Sequence, residues 1–218
     1  MLREDHKRRL KEEFNKRLEN PVKLIVFTQE VECPLCAQTR SLIEELVSLS
    51  DKIIVEVYDF VKDSEKAKSY MVDKVPAVAV VGARDYGLRF YGLPYGYEFQ
   101  TLLEALFYAS TGRTDLSEES RRRLKALRTP ARIQVFVTLT CPYCPQVASL
   151  AYKLAVESEL VRAEVVDVGE FPHLAYRYAV MGVPKTVIND RVEFVGAVPE
   201  KLFTEYVMLA TGSPEYLL

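Results

Sequence analysis

Residues 131–155 read Ala-Arg-Ile-Gln-Val-Phe-Val-Thr-Leu-Thr-Cys-Pro-Tyr-Cys-Pro-Gln-Val-Ala-Ser-Leu-Ala-Tyr-Lys-Leu-Ala. The opening seven residues are a short apolar run rich in β-branched side chains, as in a buried parallel strand. The closing part places Val147, Leu150, Ala151, Leu154 and Ala155 at the i, i+3, i+4 spacing of a helix. Between the two stands Cys141-Pro142-Tyr143-Cys144. Pro142 and Pro145 fit a helix only in its first turn, where N–H groups lack partners, which predicts Cys141 at or next to the N-cap. The orphan N–H groups and the macrodipole there favour a thiolate. The dipole contributes about 1 kcal/mol, roughly one pKa unit. Cys144 falls about one turn later and is expected to be less exposed. Two thiols so spaced close and open a disulfide without unfolding the chain, Cys141 attacking and Cys144 resolving.

The pattern occurs twice. Cys33-Pro34-Leu35-Cys36 lies 108 residues earlier, and these two tetrapeptides hold all four cysteines of the chain. The same offset carries Asp59 onto Asp167 and Val75-Pro76 onto Val183-Pro184. Upstream, Pro21 and Phe27 match Pro130 and Phe136 at 109; downstream, Thr111-Gly112 matches Thr211-Gly212 at 100. The length changes fall at Gly- and Pro-rich turns, around Gly82 to Tyr86 and Pro94 to Tyr97, so a whole structural unit is duplicated. We therefore expect two units, 1–112 and 113–218. Each reads helix, strand, helix, strand, helix, strand, strand, helix. The strands are Val22 to Phe27, Ile53 to Tyr58, Ala77 to Val81 and Leu88 to Tyr91, then Ala131 to Val137, Val161 to Val168, Lys185 to Ile188 and Arg191 to Val195. That order predicts an α/β fold, each unit a mixed four-stranded sheet flanked by helices.

Composition is that of an ordinary globular protein, 49% hydrophobic and 28% charged over 218 residues. A net charge of -2 gives no reason to expect a nucleic-acid partner. No apolar run approaches a membrane span, and the charged N-terminus has no h-region, so the location expected is cytoplasmic. Leu10, Phe14 and Leu18 make the apolar stripe of a helix there. A four-thiolate zinc site would bring the pairs much closer in sequence than the 104 residues between them. No phosphate-binding glycine loop is present, and His6 and His173 read as solvated. The Arg121-Arg122-Arg123 run reads as a solvated helix face.

On these residues the chain resembles the thioredoxin superfamily. Two such units, each with its own Cys-x-x-Cys, resemble the glutaredoxin-like protein disulfide oxidoreductases of archaea and thermophilic bacteria. Cys141-Pro142-Tyr143-Cys144 is the glutaredoxin tetrapeptide, whereas Leu35 departs from it. The resemblance implies two tandem thioredoxin-like folds with Cys33, Cys36, Cys141 and Cys144 as catalytic residues. It implies that Pro76 and Pro184 are cis and face the cysteines, with Val75, Pro76, Val183 and Pro184 binding a substrate strand. It implies thiol–disulfide exchange on protein dithiols and disulfides with no metal or organic cofactor, the electrons coming from a flavoprotein thioredoxin reductase or from glutathione. The alternatives are an electron-relay module of a peroxidase system and a non-catalytic thioredoxin-fold binding module.

The strands before the cysteines lack the buried acid of thioredoxins proper. Asp59 and Asp167, or Glu56 and Glu164, could take that place from the next strand, or Asp59 and Asp167 could be strand-end surface residues. Glu30 and Glu32 flank Cys33 where Thr138 and Thr140 flank Cys141, and nearby carboxylates disfavour a thiolate. Charge therefore points to Cys141 as the more acidic thiol. The tyrosines from Tyr86 to Tyr97 read as a longer hairpin burying its aromatics, with a docking surface as the alternative.

Overall fold

The computed structural model describes residues 2–212. The first repeat runs α1 (Glu4–Arg17), β1 (Val22–Thr28), α2 (Cys36–Val47), β2 (Ile53–Asp59), α3 (Ser64–Ser69), β3 (Ala77–Val81), β4 (Leu88–Tyr91) and α4 (Glu98–Thr111). The second runs α5 (Glu118–Ala126), β5 (Ala131–Val137), α6 (Cys144–Glu157), β6 (Val161–Asp167), α7 (Pro172–Arg177), β7 (Lys185–Ile188), β8 (Val192–Val195) and α8 (Glu200–Ala210). Every strand expected from the sequence forms within a residue or so of its expected ends. In each repeat the first two strands are parallel and the hairpin closes antiparallel. This is the mixed sheet of a thioredoxin-like fold.

The two sheets are one. Strand β4 pairs in parallel with β6, giving the eight-stranded order β2-β1-β3-β4-β6-β5-β7-β8. One row of paired residues crosses all eight strands. It starts at Glu56, passes Ile25 and Ala79 to Arg89, crosses the joint to Glu164, and leaves through Gln134 and Val187 to Glu193. At the joint Arg89 and Glu164 are both fully buried. Arg89 forms an ion pair with Asp85 (2.5 Å), and Glu164 with Arg132 (2.7 Å) and Arg162 (2.8 Å). Each buried charge is thereby compensated. The expected division at 112/113 falls between α4 and α5, where Gly112 adopts the left-handed conformation that ends α4.

Helices cover both faces. The larger core joins one face to α1, α2, α4, α5, α6 and α8. Leu10 and Phe14 of α1 are buried there, Phe14 against Phe107 with ring centroids 6.1 Å apart. Each such side chain contributes about 1.5–3 kcal/mol by leaving water. A smaller core lies under α3 and α7, built on Ile25, Phe27, Tyr91, Phe136 and Val166. Arginines 121 and 123 correct the expected solvated face. Arg121 bonds Glu157 and the Thr114 carbonyl, and Arg123 clamps α5 to α8 through Glu205, Thr204 and the Lys201 carbonyl. A run of three like charges on a helix of nine residues must point to different sides, and two of those sides meet neighbouring elements.

Candidate active site

Both cysteine pairs are closed disulfides, with Cα–Cα separations of 5.4 Å for Cys33–Cys36 and 5.5 Å for Cys141–Cys144. Each sits where the chain leaves a central strand and enters a helix, the arrangement that the repeat predicts. The helices start later than the prolines suggested. Cys36 and Cys144 are the first helical residues of α2 and α6, with Leu35 and Tyr143 as N-caps. Cys33 and Cys141 lie two residues ahead of those caps. Pro142, lacking an N–H and fixed in φ, shapes the turn before the helix, and Pro145 takes the first-turn position. In the first site the Cys36 N–H closes the corresponding turn on the Cys33 carbonyl at 3.3 Å.

The second sulfur of each pair is the buried one. Cys36 and Cys144 are almost without exposure, and the Cys36 sulfur accepts the Gln29 N–H at 3.3 Å. The leading sulfurs differ. Cys33 is half-buried and, with Cys36, lines an open groove of about 480 Å³. Cys141 is only 8% exposed. Its Sγ lies 3.9 Å from the Val183 carbonyl oxygen. Both Val75-Pro76 and Val183-Pro184 are cis. The contact brings Val183 to Cys141; among the described contacts, no hydrogen bond joins Cys33 to Val75.

The four carboxylates that the sequence offered divide into two kinds. Glu56 and Glu164 are held in ion pairs, Glu56 by Lys23 at 2.9 Å and Glu164 by the joint arginines. Asp59 caps the end of β2, accepting the N–H groups of Val61 and Lys62, and these bonds hold its carboxyl below the usual range. It also lines the groove beside Cys33 and Cys36. Asp167 is not a surface residue. It is buried opposite Val137, the last β5 residue before the turn to Cys141, and burial pushes its carboxyl up.

The sequence reading missed the group next to it. Glu98 is completely buried and bonds Thr101 Oγ1 at 2.7 Å, while its Oε1 has no partner. Burial, with a further push from Asp167, raises its carboxyl to about 7. Glu170 belongs to the same joint: it accepts the Leu93 N–H, and burial raises it too. The spacing carried a signal. Glu98, Thr101, Leu102 and Ala105 fall at i, i+3, i+4 and i+7, so Glu98 lies on the apolar face of α4.

The segment of the first repeat that packs on the second site is the glycine-rich insert. Gly92, at φ 115°, brings the backbone against Asp167 and Glu170, and Gly96, at φ 61°, lies against the Leu139 carbonyl. The Tyr97 N–H donates to that carbonyl at 3.0 Å. The tyrosines of the stretch split accordingly. Tyr86, just before β4, and Tyr91, within it, are buried, whereas Tyr95 and Tyr97 keep about half their surface in solvent.

Residues 131–208 match a family model described as Thioredoxin domain. The thioredoxin of Methanocaldococcus jannaschii is 35% identical over 77 residues, covering 35% of this chain and 91% of that protein. The crystal structure of a protein disulfide oxidoreductase from Aeropyrum pernix K1 superposes with a TM-score of 0.91 at 31% identity, covering 97% of this chain and 94% of that one. The chain belongs to the glutaredoxin-like protein disulfide oxidoreductases. It is a thioredoxin-type redox protein with two Cys-x-x-Cys disulfides, and both thioredoxin-like units of the family are present. It is also similar to an alkyl hydroperoxide reductase component of Xanthomonas campestris pv. phaseoli, 28% identical over 151 residues. That match covers 69% of this chain and 27% of the longer protein, so the chain spans about a quarter of that curated relative. Among the described residues, no helix is long and apolar enough to cross a membrane.

Proposed function

We propose that the chain catalyses thiol–disulfide exchange on other proteins, with Cys33, Cys36, Cys141 and Cys144 as its catalytic residues. The observation that carries this reading is the pairing, in both repeats, of a leading cysteine ahead of a helix N-terminus with a buried second cysteine at its first residue. In the reducing direction the leading thiolate attacks a substrate disulfide. One substrate sulfur leaves as a thiol, and a mixed disulfide forms. The second thiol then displaces the other substrate sulfur, closing the Cys-x-x-Cys disulfide and releasing a dithiol product. Oxidation runs the same steps backwards, and isomerisation returns the mixed disulfide within the substrate. Val75, Pro76, Val183 and Pro184 are assigned to the substrate strand, with the Val183 carbonyl beside Cys141 supporting that assignment. The electron donor assigned is a flavoprotein thioredoxin reductase, and the compartment the cytoplasm.

A second reading is supported by the likeness to the alkyl hydroperoxide reductase component: the chain passes electrons to a peroxidase. Two intact disulfides favour exchange with varied proteins over a single relay. Insulin reduction by dithiothreitol, followed as turbidity, tests the main reading. The parent chain is expected to accelerate it, and a Cys33→Ser/Cys141→Ser variant to lose the acceleration. A double variant as fast as the parent sinks the proposal. A parent chain inert towards insulin but active in coupling a flavoprotein to a peroxidase supports the relay instead.

A further inference from the structure

The joint between the repeats uses an edge of each. The matching edges, β8 and β2, end the sheet on either side, and among the described residues each lacks a strand neighbour on its outer side. By the repeat, β8 stands where β4 stands, and β2 where β6 stands. Laid together in the register of the joint, β8 of one copy would meet β2 of another with Val192 at Val55, Glu193 at Glu56 and Val195 at Tyr58. The apolar positions match those of the joint. The charged position does not. The joint sets Arg89 opposite Glu164, whereas the free edges would set Glu193 opposite Glu56. Directly opposed like charges destabilise strand pairing, and a carboxylate lost to water without a new partner costs more. Each already has a cation, Lys185 for Glu193 at 3.1 Å and Lys23 for Glu56 at 2.9 Å. Lys185 is itself fixed to the Tyr178 carbonyl at 2.6 Å. Lys185 is therefore not free to bridge the two carboxylates.

The joint also fills a space. After β4 the segment from Gly92 to Tyr97 covers Asp167 and the Leu139 carbonyl beside the second site. The equivalent space in the first repeat is open, the groove lined by Cys33, Cys36, Thr28 and Asp59. The chain thus displays one edge with its groove bare, and carries elsewhere in itself the shape that fits them.

We propose that the like charges of Glu56 and Glu193 bar β8 of one copy from docking on β2 and the groove beside Cys33 of another in the register by which β4 meets β6. The proposal does not depend on the exchange chemistry. Charge at positions 56 and 193 can be altered with all four cysteines intact.

Sedimentation velocity on the full chain tests it, with hydrogen exchange to locate contacts. The parent is expected to show no association through β2 and β8. Glu193→Arg, which restores the charge order of the joint, is expected to self-associate head to tail at least about tenfold more tightly than the parent. The amides of β2 should then gain protection, and Cys33 of the reduced protein should alkylate more slowly while Cys141 is unchanged. Glu56→Lys makes the reciprocal pair and is expected to associate likewise, so either variant alone carries the test. The double variant, with two cations opposed, is expected to return to the parent state. A folded single variant that stays monomeric overturns the proposal. So does an assembly that persists in the double variant, or a parent chain already protected at β2 and β8 by association.

Discussion

Tyr97 donates its backbone N–H to the carbonyl oxygen of Leu139 across 3.0 Å, tying the last residue before α4 to the turn that leads into Cys141. A part of the first repeat thereby holds the cysteine-bearing loop of the second. A β-carbon on Gly96 would come within 2.4 Å of that same carbonyl, and Gly96 has φ 61°, so the position tolerates no side chain without movement. Gly96→Ala is expected to destabilise the fold by about 1–3 kcal/mol. It should also alter the alkylation rate of reduced Cys141 and leave that of Cys33 within twofold. Equal changes at both cysteines would show that the loop does not act locally.

Glu98 makes stability depend on pH in a direction opposite to that of a salt-bridged acid. Its carboxyl titrates near 7 in the folded protein and near 4.5 when unfolded. The folded state therefore binds the proton more tightly. The stability this confers is complete below pH 4.5 and is lost as pH rises through 7. The difference amounts to about 3 kcal/mol. Glu98→Gln is expected to flatten the urea-midpoint profile between pH 5 and 8. Asp167 and Glu170, both raised by burial, add to the slope with the same sign. An unchanged profile in the variant would place the slope elsewhere.

Equivalent acids in the two repeats should differ in what they contribute. Glu164 is buried between two arginines, and replacing one member of such a set leaves charge uncompensated, typically at a cost of about 3–5 kcal/mol. Glu56 holds a half-exposed Lys23 in an ion pair of the kind that contributes about 0–1 kcal/mol. Urea denaturation of Glu164→Gln and Glu56→Gln is expected to separate them clearly. Similar losses would mean that the joint does not bury its charges as described.

Two effects act on the leading thiols with opposite sign. Glu30 and Glu32 disfavour a Cys33 thiolate, but both are exposed and well solvated, so they amount to a fraction of a pKa unit. Cys141 is nearly buried, beside a carbonyl that accepts from a thiol but not from a thiolate. Burial and a bond to the neutral form both raise a thiol pKa, by up to several units. Cys33 is therefore expected to titrate lower, reversing the order suggested by flanking charge alone. Iodoacetamide alkylation against pH, on variants retaining one pair, measures the order directly.

Much of this was legible beforehand. Parallel β1 and β5 announce themselves as apolar β-branched runs, and a duplicated pattern fixed the order of elements before any contact was known. The paired cysteines named the chemistry, because few roles require two thiols at that spacing. What stayed hidden depends on one repeat meeting the other. Arg89 and Glu164 look like ordinary outward strand positions until β4 and β6 pair. Glu98 reads as an ordinary first-turn acid unless its place on the apolar face of α4 is weighed, and its burial beside Asp167 needs both repeats. The exact helix start was also hidden, since Pro142 is as compatible with a turn as with a first helical residue.

The continuous sheet changes what a half of this protein means. A piece ending near Gly112 would leave Leu88 to Tyr91 as a raw border, its backbone unpaired on that side and Leu88 and Phe90 bared to water. The complementary piece would bare β6 in the same manner. The two repeats are thus not interchangeable beads on a string. A proteolytic nick between them should leave the fragments clasped, and a grafted single repeat would need a new neighbour for the border it lost.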